Sequence, residues 1–219
     1  FLPAFKNLKV YTDNGLVDLV QPVNIRHLLT HTAGLTYHFW EYGRVEEMYR
    51  EANISSLKPL EDFVADLATM PLAFQPGSNF RYSFSQDVVA HLVELMSGQS
   101  FGDFLEEHIF KPLGMVDSGF YVPKAKLERL TTMYGVTDLL TPDLTASVLW
   151  EGAEEGINRR IYGASDSAES SSQNVHRGGH GLVSTAKDYL RFCQMVLNGG
   201  ILDGHQILGR KTIEAMVTN

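Results

Sequence analysis

The spacing of hydrophobic residues predicts a mainly helical chain. An amphipathic helix is predicted from Pro59 to Met70, because apolar residues recur there at the i, i+3, i+4, i+7 spacing of one helix face. These residues are Leu60, Phe63, Val64 and Leu67. The same periodicity predicts helices over 23–30, 87–96, 101–110 and 185–197, and a last helix near residue 211. Several of these segments are followed by glycine or proline, which commonly end helices.

Particular side chains of these helices are expected to face inward. They are Ile25, Leu28 and Leu29 in the first helix, Val88, Leu92 and Leu95 in the third, and Tyr189, Leu190, Phe192, Cys193 and Val196 in the fifth. Each set recurs at three- and four-residue intervals, so its members share one side of a helix.

The pattern changes between residues 123 and 181. The stretch "RLTTMYGV" is strand-like, and we expect a small β excursion around residues 128–150. The stretch "GASDSAESSSQN", residues 163–174, has little to bury and predicts a mobile, solvated loop. The whole chain, residues 1–219, is therefore expected to form a single, mainly α-helical unit with one β excursion and one mobile loop.

Composition and charge narrow the functional classes. The net charge of −8 argues against a nucleic-acid surface or an anionic-membrane anchor, since both need clustered Lys and Arg. No apolar run approaches the roughly 20 residues of a spanning helix. The single cysteine, Cys193, excludes a disulfide within the chain. The chain starts at Phe1 without an initiator Met, so we expect it to begin partway through a domain, which leaves the compartment open.

Two short motifs contain a serine that resembles a nucleophile. Ser55 and Lys58 match Ser-x-x-Lys, but Pro59 pushes Lys58 out of the helical region, so this serine is expected on the lead-in to a helix. The stretch "GQSFG", Gly98–Gly102, matches Gly-x-Ser-x-Gly. That motif needs a preceding strand, whereas a helix is predicted there, so Ser100 is expected to cap a helix with Asp103. An α/β-hydrolase that uses Ser100 stays open as a remote alternative.

Paired histidines do not predict a metal site. His27 and His31 are four residues apart on a predicted helix, but "HLLTH" lacks the Glu of the zinc-protease motif. His176 and His180 flank a glycine-containing loop rather than a helix face. Packing and capping roles are favoured for all four, and no metal is predicted.

Three longer segments indicate a protein family more specifically than the short motifs do. They are "NIRHLLTHTAGLTYH" (24–38), residues 74–123 beginning "FQPGSNFRYSFSQDVV", and "GGHGLVSTAKDYLRFCQMVLNGG" (178–200). Together and in this order they resemble the serine β-lactamase and penicillin-binding-protein family, nearest its class C β-lactamases and family VIII carboxylesterases. The resemblance implies the β-lactamase/transpeptidase-like α+β fold, in which a helical lobe is inserted into a lobe with an antiparallel sheet.

The same resemblance implies a reaction and its residues. A serine attacks an acyl carbon, a lysine one turn later assists, and a tyrosine of the helical lobe, which maps onto Tyr82, shuttles protons. Neither a metal nor an organic cofactor is implied. Phe84 stands where β-lactamases carry an amide-contacting Asn, which favours an ester substrate. His38 and His180 fall at positions that line the substrate in the family.

The nucleophile is not expected within this chain. The family's Ser-x-x-Lys helix should precede residue 1, and its Lys-Thr-Gly strand should follow residue 219, so we expect the helical lobe with the sheet lobe largely missing. Such a piece is predicted to be inactive, and its exposed inter-lobe face could support a dimer. The parent is expected to be a serine hydrolase, a carboxylesterase of this family, that acts on a small-molecule ester or β-lactam. The alternatives are a β-lactamase, a D-Ala-D-Ala carboxypeptidase or a non-catalytic penicillin-binding-like module.

Overall fold

The computed structural model describes residues 1–40, 42–54, 58–131 and 176–218, together with the backbone of strands at 133–135 and 159–162. Its α-helices are α1 (Ile25–Leu29), α2 (Arg44–Ala52), α3 (Leu60–Leu67), α4 (Ser85–Ser97), α5 (Phe101–Leu105), α6 (Ala186–Leu197) and α7 (Arg210–Val217). Its strands are β1 (Lys9–Thr12), β2 (Gly15–Asp18), β3 (Met133–Gly135), β4 (Arg159–Tyr162), β5 (Ile201–Leu202) and β6 (His205–Gln206). Short 3₁₀ turns cover Pro3–Asn7 and Lys124–Arg129.

The strands pair in twos within the described residues. β1 pairs antiparallel with β2, β3 with β4, and β5 with β6. β3 falls inside the predicted β excursion, whereas its partner β4 lies beyond it. The predicted mobile loop at 163–174 lies outside the described residues. The hairpin β1–β2 was not predicted, and a short parallel bridge between Val10 and Leu72 joins it to the segment after α3.

A larger hydrophobic core is built by the first half of the chain. It forms where α3 and α4 pack together with the segment after α1, and all four apolar residues predicted for the face of α3 are buried. Its buried members are Phe5, Leu8, Val10, Leu28, Ala33, Leu35, Tyr37, Val45, Tyr49, Phe63, Val64, Leu67, Met70, Leu72, Phe84, Val88 and Leu92. This core lies directly beneath the segment that carries Tyr82.

A smaller core is built by the second half of the chain. It joins the turn after α5 to α6, α7 and the β5–β6 hairpin through Phe110, Leu113, Met115, Met195, Leu202 and Ile213. The predicted helix over 101–110 is a five-residue α-helix followed by a π-helical turn at Glu106–Phe110. That turn carries Phe110 into this core.

Several predicted inward positions are wrong. Ile25 is 41% exposed and Leu29 is 56% exposed, because α1 is only five residues long and buries one side, which carries Leu28. Leu95, in the last turn of α4, is exposed although Val88 and Leu92 are buried. On α6 the exposed side chains include Tyr189, Leu190 and Cys193. Met195 instead anchors this helix in the smaller core.

The turn at residues 176–180 is pressed against α4. A Cβ on Gly178 would lie 2.0 Å from the backbone oxygen of Gln86, so only glycine fits there. The neighbouring Arg177 is buried, donates to the Lys58 carbonyl at 2.7 Å, and places its guanidinium 4.0 Å from the Phe63 ring centroid. This turn therefore joins the second half of the chain to the larger core.

No helix within the described residues combines the length and the hydrophobicity that a membrane-spanning segment needs.

A buried carboxylate holds the segment before Tyr82. Glu46, on α2, accepts hydrogen bonds from the Thr36 hydroxyl at 2.6 Å and from the Arg81 guanidinium at 2.7 Å. Glu46 is buried and the Arg81 side chain is mostly covered. Three separate segments therefore meet at one charged group.

We expect Glu46→Gln to lower the free energy of unfolding by about 3 kcal/mol, because it leaves the covered Arg81 without its counter-ion. Urea unfolding followed by circular dichroism measures this change. The matched control is Glu51→Gln, which removes an exposed partner of Arg44 and should leave the urea midpoint unchanged. Equal effects of the two substitutions would contradict a structural role for the buried pair.

Candidate active site

Tyr82 lies in an irregular segment just before α4, with its side chain partly open to solvent. The residue is 47% exposed, and its carbonyl accepts a hydrogen bond from the Trp40 indole at 3.0 Å. The preceding Arg81 donates its backbone N–H to the His31 carbonyl at 2.9 Å. Contacts on both sides of Tyr82 therefore fix its backbone although no regular secondary structure includes it.

A second tyrosine supports Tyr82 from below. Tyr37 is 8% exposed, and its ring centroid is 5.5 Å from that of Tyr82. The residue was not singled out from the sequence, although it lies in the quoted "HTAGLTYH" segment directly before His38. Periodicity could not identify it because the segment is neither helix nor strand.

The environment of Tyr37 opposes loss of its proton. Burial, and next the nearby Tyr82 and Asp87, raise the pKa of the Tyr37 phenol far above its usual value. His31 lies on the other side, with its ring centroid 4.8 Å from that of Tyr82. Burial lowers the pKa of His31, so this imidazole is neutral at pH 7.

Asp87 lies beneath this pair on α4. It is almost completely buried, and its Oδ1 accepts the backbone N–H of Gly179 at 3.4 Å. Burial raises the pKa of Asp87, while Arg177, His180 and the turn amides act in the opposite direction. The polar network thus runs from the exposed Tyr82 phenol inward to a buried carboxyl group.

Phe84, predicted to line the substrate, lies mostly in the larger core. It is 7% exposed, and its ring centroid is 4.4 Å from that of Tyr37, 5.1 Å from that of Phe63 and 6.0 Å from that of His38. Little of the ring is therefore open to a ligand within this chain. Its role as a substrate-lining residue stays a prediction.

The two histidines predicted to line the substrate are both exposed. His38 follows Tyr37 and stacks over Phe84, and partial burial, followed by the charge of Arg50, lowers its pKa. His180 lies on the turn whose backbone contacts Asp87. The structure thus places both residues beside the network of Tyr82, and their contact with a substrate stays a prediction.

The Ser-x-x-Lys match does not have the geometry of a nucleophile and its base. α3 begins at Leu60 after Pro59, so Lys58 precedes the helix as predicted, and its ammonium pairs with Asp66. Ser55 lies outside the described residues. A lysine engaged by a carboxylate on the following helix is not available to take a serine proton.

Ser100 is a helix cap, as predicted. Its hydroxyl accepts the backbone N–H of Asp103 at 3.1 Å and lies 2.8 Å from the Asp103 carboxylate. The segment before Gly98 is the helix α4 rather than a strand, so the nucleophile elbow is not formed.

The histidines proposed for packing and capping fulfil such roles. His27 completes a capping box with Asn24 at the start of α1. His176 accepts the backbone N–H of Gly102 at 3.1 Å. Among the described side chains, no three His, Cys, Asp or Glu residues are placed to hold a metal ion.

Solved structures define the class of protein to which this fold belongs. EstCE1, a hydrolase with promiscuous acyltransferase activity, superposes with a TM-score of 0.67 at 27% identity, covering 96% of this chain and 52% of that one. Simvastatin synthase (LovD) from Aspergillus terreus superposes with a TM-score of 0.70 at 23% identity, covering 98% of this chain and 49% of that one. The chain thus matches about half of proteins with the β-lactamase/transpeptidase-like fold, which is the fold that the family resemblance implies.

The family follows from sequence matches as well. A family model described as Beta-lactamase matches residues 17–219, and the chain belongs to this family. Protein Rv1367c of Mycobacterium tuberculosis is 31% identical over 209 residues, covering 94% of this chain and 47% of that protein. Lovastatin esterase of Penicillium rubens is 31% identical over 183 residues, covering 83% of this chain and 42% of that protein. Esterase EstB of Burkholderia gladioli is 39% identical over 125 residues, covering 54% of this chain and 31% of that protein. The chain spans about half the length of Protein Rv1367c.

We expect Ser100→Ala to lower the free energy of unfolding by about 1 kcal/mol through loss of the helix cap. Ser100→Asn should restore most of this loss, because asparagine caps helices as well as serine does and places no second carboxylate beside Asp103. Urea unfolding of the two variants measures both effects. If Ser100 were catalytic, the unsubstituted chain would react with a serine probe, and both substitutions would abolish that reaction.

Proposed function

We propose that Tyr82 is the proton-transferring residue of a serine hydrolase that forms an acyl-enzyme, and that this hydrolase is a carboxylesterase. The observation that carries this proposal is the position of Tyr82: an exposed phenol whose ring centroid is 5.5 Å from that of the buried Tyr37, in a chain of the β-lactamase family. Names of similar proteins, lovastatin esterase and esterase EstB, support ester chemistry.

The chemistry assigns one task to Tyr82 in each half of the reaction. In acylation, a serine oxygen attacks the ester carbonyl while its proton passes through the tyrosine oxygen to the departing alcohol. In deacylation, the tyrosine oxygen takes a proton from the attacking water and returns it to the serine oxygen as the acyl–serine bond breaks, which releases the acid. A phenol at the surface of the lobe can exchange protons in this way, whereas the buried Tyr37 cannot reach a substrate.

Neither of the two serine motifs offers the serine and lysine that this reaction needs. Lys58 is engaged by Asp66, and Ser100 caps a helix. We therefore propose that a Ser-x-x-Lys pair from outside this chain faces Tyr82 across an inter-lobe cleft. The dimer predicted through the exposed inter-lobe face stays a prediction.

The preference for an ester over a β-lactam follows from position 84. The amide-contacting Asn of β-lactamases is replaced by a ring that packs among Tyr37, His38 and Phe63. This ring provides no hydrogen-bond donor for a substrate amide, so an amide would lose a contact that an ester does not need.

We expect Tyr82→Phe in the full-length protein to lower kcat/KM for p-nitrophenyl butyrate by about 100- to 10,000-fold, the usual contribution of general acid–base catalysis. Steady-state hydrolysis monitored at 400 nm measures it. Tyr189→Phe, at an exposed tyrosine of α6, is the matched control and should leave the rate unchanged. A Tyr82→Phe enzyme with full activity would exclude the proposed role.

We expect this 219-residue chain to gain no mass after incubation with a fluorophosphonate serine probe, whereas the full-length protein gains one adduct. The physical reason is that an isolated serine hydroxyl reacts only when a base and an oxyanion hole activate it. Intact-mass spectrometry distinguishes the two outcomes. A stoichiometric adduct on the shorter chain, mapped by peptide analysis, would show that it carries its own nucleophile.

A further inference from the structure

His31 has an unusual backbone conformation shortly after the end of α1. Its φ is +54°, in the left-handed region that residues other than glycine and asparagine rarely adopt. Such a conformation persists only where the surrounding contacts hold it, and it is frequent at functional sites. The imidazole packs against Tyr82, with 4.8 Å between the ring centroids, and against Phe80, with 6.1 Å. The contacts that hold His31 are therefore also contacts of the segment that carries Tyr82.

His31 is bonded to the chain on both sides of Tyr82. Its backbone carbonyl accepts the N–H of Arg81 at 2.9 Å, and its Nδ1 lies 3.5 Å from Oγ of Ser83. Its Nε2 lies 3.3 Å from the amide nitrogen of Gln86, in the first turn of α4. One residue therefore contacts the positions before and after Tyr82 as well as the helix that follows.

The partners of the imidazole determine which ring nitrogen carries the proton. An amide nitrogen donates and does not accept, so Nε2 of His31 accepts from Gln86 and is unprotonated. A neutral imidazole then carries its proton on Nδ1, which donates to Ser83. The Ser83 oxygen is 2.9 Å from that of Ser85, and both serines are buried. Because Ser83 accepts from the imidazole, its own proton is left to donate to Ser85.

We propose that His31 is a positioning residue for Tyr82, and that its imidazole, protonated at Nδ1 alone, joins Gln86 to Ser83 and so fixes the segment on which Tyr82 lies. The task of this bridge in catalysis rests on the proposed function of Tyr82, whereas the bridge itself rests on the contacts of His31. A fixed phenol matters because a misplacement of about 1 Å at a reacting group can lower a rate by about 100-fold.

Other protonation states of His31 do not fit these partners. A proton on Nε2, in the second neutral form or in the imidazolium ion, would point at the donating amide of Gln86. Burial disfavours the charged form as well, because it lowers the pKa of His31. A proton on Nδ1 alone is therefore a specific and measurable consequence of the bridge.

The first test measures which nitrogen of His31 is protonated. Long-range ¹H–¹⁵N correlation spectra of the ¹⁵N-labelled chain at pH 7 distinguish the two neutral imidazoles and the charged one by the shifts of both nitrogens. His31→Asn assigns the signal by its absence. We expect an unprotonated Nε2. An Nε2–H or a charged His31 in the unsubstituted chain would overturn the proposal.

A substitution at Gln86 tests the other end of the bridge. Gln86→Glu replaces the donor with a carboxylate of the same shape, which accepts a proton from Nε2, so Nε2 of His31 should become protonated. Gln194→Glu, at an exposed amide of α6, is the matched control and should leave the His31 signal unchanged. An unprotonated Nε2 in folded Gln86→Glu would show that the two side chains do not meet, and the bridge would be refuted.

The second test asks whether the bridge serves the reaction. His31→Gly and His31→Asn both permit a left-handed backbone, but only asparagine keeps a donor near the place of Nδ1. In the full-length protein, His31→Gly should lower kcat for p-nitrophenyl butyrate about tenfold, the factor that one hydrogen bond is worth, with little change in KM. His31→Asn should restore most of that loss. His205→Ala, at an exposed histidine of β6, is the matched control and should leave both constants unchanged.

Circular dichroism verifies that each variant is folded. Should His31→Gly fail to fold, Ser83→Ala takes its place, because it removes the acceptor of the bridge and should lower kcat by the same factor. An unchanged kcat in the folded variant, or a loss that asparagine at position 31 does not restore, would overturn the positioning role. If Tyr82→Phe is inactive while His31→Gly is fully active, the proposed function stands and this inference fails. If Tyr82→Phe is fully active, the proposed function fails and the positioning role fails with it.

Discussion

The ion pair between Glu46 and Arg81 is the interaction on which the geometry of the site depends. The segment that carries Tyr82 has no regular secondary structure, so its own backbone hydrogen bonds cannot fix it. Its position comes from contacts with other segments instead. The Arg81 guanidinium binds the buried Glu46, the Arg81 N–H binds the His31 carbonyl, and the Trp40 indole binds the Tyr82 carbonyl. Because Glu46 also binds Thr36, the same carboxylate sets the distance between the two tyrosine-bearing segments. Compared with an apolar pair, a buried ion pair adds little net stability, but removing one partner leaves the other charge buried without a counter-ion. The pair therefore holds this particular contact in place.

Close backbone packing supplies the second constraint. Gly34 has a φ of +89°, and a Cβ there would lie 2.5 Å from the Phe74 carbonyl, so the segment that leads to Tyr37 can approach the strand-like segment after α3 only without a side chain. At Gly178, too, the missing side chain lets the backbone of the second half of the chain lie close to α4. These contacts bring three distant stretches of sequence to one place. The polar network of Tyr82, Tyr37 and Asp87 is the result of that convergence.

The sequence predicted the helices well where packing is one-sided and regular. The apolar face of α3 and the cap at Ser100 are confirmed, since both depend on neighbours within a few residues. The inward faces of α1 and α6 were predicted less well, because the exposure of Ile25 or Tyr189 depends on which other element covers the helix. Tyr37 and Asp87 could not be identified at all from periodicity. Their burial next to Tyr82 is set by contacts 45 and 92 residues apart along the chain, Tyr37 with Tyr82 and Asp87 with Gly179.

The two serine motifs show why such convergence is more informative than a short match. Ser-x-x-Lys and Gly-x-Ser-x-Gly specify residue types only, whereas their chemistry needs a particular backbone before and after the serine. Pro59 places Lys58 ahead of its helix, and α4 stands where a strand is required before Ser100. Tyr82 matches no short catalytic motif of its own, yet a buried phenol, a buried carboxyl group and a glycine turn are arranged around it. Buried polar groups are costly unless they act on one another. Their concentration beneath one exposed phenol is therefore the stronger argument for chemistry at that position.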